Sequence, residues 1–138
     1  MIRERGKSER KKWQKDSNPP PDRKGLENFG AYRKASALFD LVVVDMNEIS
    51  NRQLCWKLIA QQLGSADSIC ANMEEGYGRY SPKEYIQYLV ISRGSAQETR
   101  GRYNRMRHWL SPAIVTARIA LCDEILGILT TSINTLKR

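Results

Sequence analysis

The stretch Ala71-Asn72-Met73-Glu74-Glu75-Gly76-Tyr77-Gly78-Arg79-Tyr80-Ser81-Pro82-Lys83-Glu84-Tyr85 reads as one helix ending, a tight turn, and a longer helix beginning. Gly76 and Gly78 can take the left-handed conformation that closes a helix, which a Cβ resists. Ser81 supplies an N-cap hydroxyl, Pro82 suits the first helical position, and Glu84 stands three residues after the cap, which is a capping box. Asn72 and Glu75 sit one turn apart near the end of the first of these helices. A carboxylate there needs a partner, and Arg79 is the nearest cation in sequence. The expected role of Asn72, Glu75, Gly76, Gly78, Arg79, Ser81 and Glu84 is to fix the turn, not to catalyse.

The periodicity extends on both sides of the turn. Upstream, Leu54, Leu58, Ile59, Leu63 or Gln62, Ala66, Ile69, Cys70 and Met73 predict a helix from Asn51 or Leu54 to Glu75. Before it, Tyr32, Ala35, Leu38, Phe39, Val42, Met46 and Ile49 predict one from Glu27 or Phe29 to Met46 or Ile49, and this period outweighs the β-branched run Val42-Val43-Val44. Downstream, Tyr85, Leu89, Ser92, Ala96, Thr99, Tyr103 and Met106 or Leu110 share one face of a third helix from Pro82 to about Trp109. Ser111-Pro112 repeats the cap-plus-proline start, and Pro112 to Leu136 forms the fourth. Four helices with short links predict an all-α, antiparallel, up-down-up-down four-helix bundle over residues 26–138.

The residues Ala71-Asn72-Met73-Glu74-Glu75-Gly76-Tyr77-Gly78-Arg79, Ser81, Glu84-Tyr85 and Gly94-Ser95-Ala96-Gln97-Glu98 resemble the four-helix-bundle proteins encoded in intervening sequences of bacterial 23S ribosomal RNA genes. More distantly, they resemble the accessory variability proteins of diversity-generating retroelements. Leu26, Phe29, Tyr32 and Ala35 match the spacing of that family's first helix, with Tyr32 where a tryptophan is usual. Cys70 stands where the family typically has proline. The resemblance implies a bundle, a five-fold ring, and a genetic setting beside RNA or a reverse transcriptase.

The chain of 138 residues, 41% of them hydrophobic, is long enough for one domain with a core, and its net charge of +8 favours an anionic partner. Residues 1–25 read as a basic, flexible tail: nine lysines and arginines face four acids, Pro19-Pro20-Pro21 blocks helix continuation, and only Trp13 is large and apolar between Arg3 and Lys24. Such an arm either stays solvated or wraps nucleic acid with Trp13 stacked on a base. Cys55, Cys70 and Cys122 have no metal-ligand or redox spacing and read as buried thiols in a reducing compartment. Met1-Ile2-Arg3-Glu4-Arg5 opens no signal peptide, and the longest uncharged run, Ile125 to Leu136, falls short of the roughly 20 residues that span a bilayer. A cytoplasmic protein is expected.

No catalytic constellation emerges, and neither enzyme activity nor a cofactor nor a metal is expected. His108 is the only histidine and has no carboxylate or cysteine at metal-ligand spacing, while Gly76-Tyr77-Gly78 lacks the lysine and strand of a phosphate loop. The candidate site is instead a basic helix surface, Arg93, Arg100, Arg102, Arg105 and Arg107, with Tyr103 and Trp109 interleaved. Arginine forks match phosphate oxygens and stack on bases. The plainer alternative pairs these arginines with Glu98, Asp123 and Glu124.

Two functions from different classes follow. One is a nucleic-acid-binding bundle that uses these arginines and the tail. The other is an adaptor that binds a protein such as a reverse transcriptase. Ile86, Val90, Ile91, Gly94 and Gly101 lie off the core face of the third helix and form a second stripe, so a homo-oligomer is expected, and the resemblance makes it a homopentamer.

Overall fold

The computed structural model describes residues 23–79 and 81–138; the arm with Trp13, and Tyr80, lie outside the described residues. Among the described residues five helices follow in order: α1 (Arg23–Asn28), α2 (Gly30–Glu48), α3 (Trp56–Tyr77), α4 (Pro82–Arg105) and α5 (Pro112–Leu136). Two 3₁₀ turns, Gln53–Cys55 and Met106–His108, lead into α3 and out of α4. No strand occurs among the described residues. The expected first helix is thus divided at Phe29, whose extended backbone (φ −67°, ψ 120°) caps α2, and helix begins at Arg23, inside the stretch assigned to the tail.

Local chemistry sets the starts of α4 and α5. Ser81 Oγ accepts from Glu84 N at 3.1 Å and Ser111 Oγ from Ile114 N at 3.2 Å, each with proline at the first helical position. The cap satisfies an amide that the helix leaves without an internal acceptor. The start of α3 is less well encoded. Leu54, expected on a core face, sits in the 3₁₀ turn and is 85% exposed, and the helix proper begins only at Trp56. Beyond it α3 runs through Cys70 as one helix, with the thiol beside Ser36.

The turn itself differs from expectation. Gly76 is buried inside α3, and the helix continues to Tyr77. Gly78 caps it with φ −78°, a right-handed conformation, so neither glycine supplies a left-handed closure. Gly76 is needed for a different reason: a Cβ built there would lie 2.7 Å from Tyr88 Cβ and 3.1 Å from Tyr85 Cδ1. It lets the start of α4 rest on the end of α3.

Helix α2 packs on α3 and α5, and α4 packs on α3 and α5 as well. Cross-links tie each pair: Tyr32 to Glu74 and Ser36 to Cys70; Lys34 to Glu124 and Asp45 to Arg118; Gln62 to Thr99 and Ser92 to Ile69; Arg93 to Thr130 and Arg100 to Asp123. In every pair the numbers rise along one helix as they fall along the other. Between them lie Leu38, Met46, Ile69, Met73, Leu89, Met106, Ile125, Leu129 and Ile133, all essentially without solvent contact. Burying each such side chain stabilises the fold by roughly 1.5–3 kcal/mol.

The α3–α4 seam is polar rather than apolar. Asn72 donates to Ser68, Ser95 to Ser68, Thr99 pairs with Ser65, and Gln62 donates to the Thr99 carbonyl, in a run ending at Arg102. Small hydroxyl residues let the two backbones approach, and the hydrogen bonds among these side chains offset much of their desolvation cost.

Candidate nucleic-acid interface

The arginines expected to form one basic stripe divide into three groups. Arg105 and Arg107 are exposed near the end of α4, where cations also complement the helix dipole; Arg107 Nη1 donates to Asn104 O at 2.8 Å. Arg93 and Arg100 are half-buried against α5. Arg100 grips Asp123 through Nε (2.6 Å) and Nη2 (3.3 Å), the carboxylate holding its guanidinium above the usual arginine range, while Arg93 reaches Thr130 Oγ1 at 3.5 Å. The plainer alternative therefore holds for Arg100.

Arg102 is a correction. It is 8% exposed and turned into the α3–α4 seam, where Nη1 donates to Gln62 Oε1 and Ser65 Oγ at 2.9 Å and to Gln61 O at 3.3 Å. It does not belong to the open basic surface. Tyr103 is likewise unavailable for stacking, because it is fully buried and its hydroxyl donates to Asp45 Oδ2 at 2.7 Å. Burial, together with that bond, pushes its phenol well above the usual range. Arg118 closes the group, donating from Nε and Nη2 to the two Asp45 oxygens at 2.7 and 3.1 Å.

The Asp45 group joins α2, α4 and α5 and shows which chain segments share an end of the molecule. Asp45 lies one turn before the end of α2, Tyr103 near the end of α4, and Arg118 in the second turn of α5. The links 49–55 and 106–111 therefore emerge together. At this end Arg52, Lys57, Arg105 and Arg107 are exposed, with His108 edge-on to Trp109 at 5.7 Å. Trp56, at the start of α3, lies at the same end. Its Nε1 donates to Ser50 O at 3.0 Å, which fixes the indole while leaving it 59% exposed.

Exposed cations at the same end as a fixed, open aromatic plane suit phosphates and unstacked bases. Sequence reasoning missed Arg52, Trp56 and Lys57. The signal was the alternation Arg52-Gln53-Leu54-Cys55-Trp56-Lys57, which a helix stripe drawn through Leu54 absorbed into the core.

The turn residues do not converge into one network. Arg79 pairs with Glu75, donates to Tyr88 Oη at 2.7 Å, and lies 5.1 Å over that ring, whereas Asn72 turns back to Ser68. Glu84 contributes its amide to the Ser81 cap. Nearby, Leu26, Glu27, Tyr32, Glu74 and Tyr77 line an open pocket. Its Tyr32 hydroxyl donates to Glu74 at 2.6 Å, and that bond, with burial, pushes the phenol up to about 12, the wrong direction for proton transfer at neutral pH. Among the described residues no group of three or more His, Cys, Asp or Glu could hold a metal ion, and no helix is long and apolar enough to cross a membrane.

No curated protein matches the chain. The family model described as 23S rRNA-intervening sequence protein matches residues 27–131, from the last residues of α1 to within the last two turns of α5. The chain therefore belongs to the 23S rRNA-intervening sequence protein family.

Proposed function

We propose that this protein is a non-enzymatic, cytoplasmic RNA-binding bundle that works as a homo-oligomer. Its fold on this reading is an antiparallel, up-down-up-down four-helix bundle, supported by the opposed numbering of every interhelical cross-link. The observation that carries the RNA reading is the end of the molecule where Arg52, Lys57, Arg105 and Arg107 are exposed and the Trp56 indole is held open by Ser50. The lysines and arginines of residues 1–25 would add to the positive charge open to an anionic ligand. The family takes its name from 23S rRNA, which makes RNA the first ligand to test. Free cysteines at 55, 70 and 122 suit a reducing compartment.

The experiment is a gel shift with structured RNA over a salt series. Binding should weaken steeply as salt rises, because phosphate contacts release counterions. Arg105→Gln with Arg107→Gln should flatten that slope. Trp56→Ala should cost about 1–3 kcal/mol of affinity with the slope unchanged, since stacking is not ionic. Salt-independent binding, or wild-type affinity in the triple variant, rejects this interface. The exposed Val90 and Ile91 of α4 support the homo-oligomer, proposed as a five-fold ring of copies of this chain, and the alternative reading is an adaptor for a protein such as a reverse transcriptase.

A further inference from the structure

We infer that Arg102 is the base of an oxyanion site that accepts a phosphate group between α3 and α4. Arginine takes carboxylate or phosphate side-on through its Nε–H and Nη2–H edge. Two other arginines of this chain do so internally: Arg100 holds Asp123, and Arg118 holds Asp45, each through Nε and Nη2. Arg102 has spent only its third nitrogen. Nη1 makes three hydrogen bonds, all to uncharged oxygens of Gln61, Gln62 and Ser65. Nε is buried without a hydrogen-bond partner, and among the described residues no carboxylate pairs with this guanidinium.

A guanidinium that is 8% exposed and makes no ion pair with a carboxylate is costly, and burial together with neighbouring Arg105 lowers its pKa. Nearly all structural arginines at such depth are paired. Here the pairing edge is the one left over, while the opposite nitrogen is fixed by three bonds, so the fork is already oriented. The charges that bear on it decide the ligand. Arg105 adds a second cation, and Glu98, one turn before Arg102, is an exposed acid that supplies attraction without a bond. Two guanidiniums favour a phosphate over a singly charged carboxylate. Gln61, whose carbonyl takes an Arg102 bond, and Glu98 and Arg105, whose charges act on Arg102, are all exposed, so the neighbours an anion would meet are surface side chains.

The inference does not require the RNA reading, because inorganic phosphate tests it with no nucleic acid present. The full chain is titrated with sodium phosphate at constant ionic strength while the arginine Nε–H resonances are followed. The Arg102 signal is identified as the one lost in Arg102→Lys. It should shift and saturate with phosphate and stay still with chloride. Glu98→Gln, which removes a competing acid, should tighten binding several-fold, and Arg105→Gln should weaken it several-fold. If Arg102→Lys does not fold, thermal melts in phosphate against chloride read the site through those two surface variants.

The source of the phosphate is then separated by competition. Displacement by an RNA with either a 5′-hydroxyl or a 5′-phosphate places a backbone phosphodiester on Arg102. Displacement by the 5′-phosphorylated RNA alone places a terminal phosphate there, and displacement by neither leaves free phosphate as the ligand. Arginine resonances and melting temperatures indifferent to phosphate in the wild type and both surface variants overturn the site.

Discussion

Gly76 and Tyr88 approach so closely that a Cβ on the glycine would stand 2.7 Å from the tyrosine's own Cβ. The contact joins the last turn of α3 to the second turn of α4 across the link that the sequence marks most strongly. The atom in the way belongs to the root of a side chain and cannot swing aside. Gly76→Ala should therefore cost about 1–3 kcal/mol from overpacking, outweighing the ~1 kcal/mol by which alanine favours a helix. Gly78→Ala is the control: φ is −78° and the nearest atom, Glu75 O, is 3.7 Å away, so a gain of about 0.4–1 kcal/mol is expected. Urea melts of both variants check the pair, and equal effects would contradict the close-approach account.

Asp45 is 1% exposed and accepts from both Tyr103 and Arg118. Asp45→Ala strands a largely buried guanidinium and should destabilise the fold by about 3–5 kcal/mol. Tyr103→Phe leaves the Asp45–Arg118 pair intact and should cost only about 1–2 kcal/mol. Chemical denaturation measures both, and the ordering is the decisive result.

Alkali should loosen the fold before it affects the helices individually. Burial raises Tyr85 from 10.0 to about 12 and Cys122 from 9.0 to about 12. Between each unfolded value and about 12, the unfolded chain has released a proton that the folded chain keeps. The unfolded state therefore binds fewer protons, and stability falls as pH rises. Below pH 9 these two groups contribute a constant amount. Melting temperature should decline from about pH 9 upward, and Tyr85→Phe should make the decline shallower above about pH 10. A flat profile to pH 12 would contradict these shifts.

Ile91 is 50% exposed on α4, beside the exposed Val90, and a Cβ on Gly94 would meet nothing within 4 Å. The described residues leave this face uncovered, unlike the seam at Gly76. A second copy seated there should hold the protein above its 15.9 kDa monomer mass in light scattering coupled to size exclusion, at five times that mass for the proposed ring. Val90→Lys with Ile91→Lys should return it to the monomer while preserving helical circular dichroism. A wild-type monomer removes the assembly.

What the sequence determined by itself was local. Ser81-Pro82 and Ser111-Pro112 each carry their own cap, so the starts of α4 and α5 needed no distant contact. The apolar periods through Leu38, Ile69, Leu89 and Ile125 likewise placed the core faces, because a helix repeats its side in sequence. The tertiary structure decided which polar residues are spent inside. Arg102 and Arg105 are three apart on the same helix, yet one is locked against Gln62 and Ser65 and the other faces solvent. Arg100 was withdrawn from the basic stripe by Asp123, an acid on another helix, and Leu54 left the core because α3 starts only at Trp56. Gly76 was marked as special by the sequence, but its reason was Tyr88 rather than a left-handed turn. Charge and burial depend on what packs against a side chain, and the register between helices that brings those partners together is written in no single stretch of the chain.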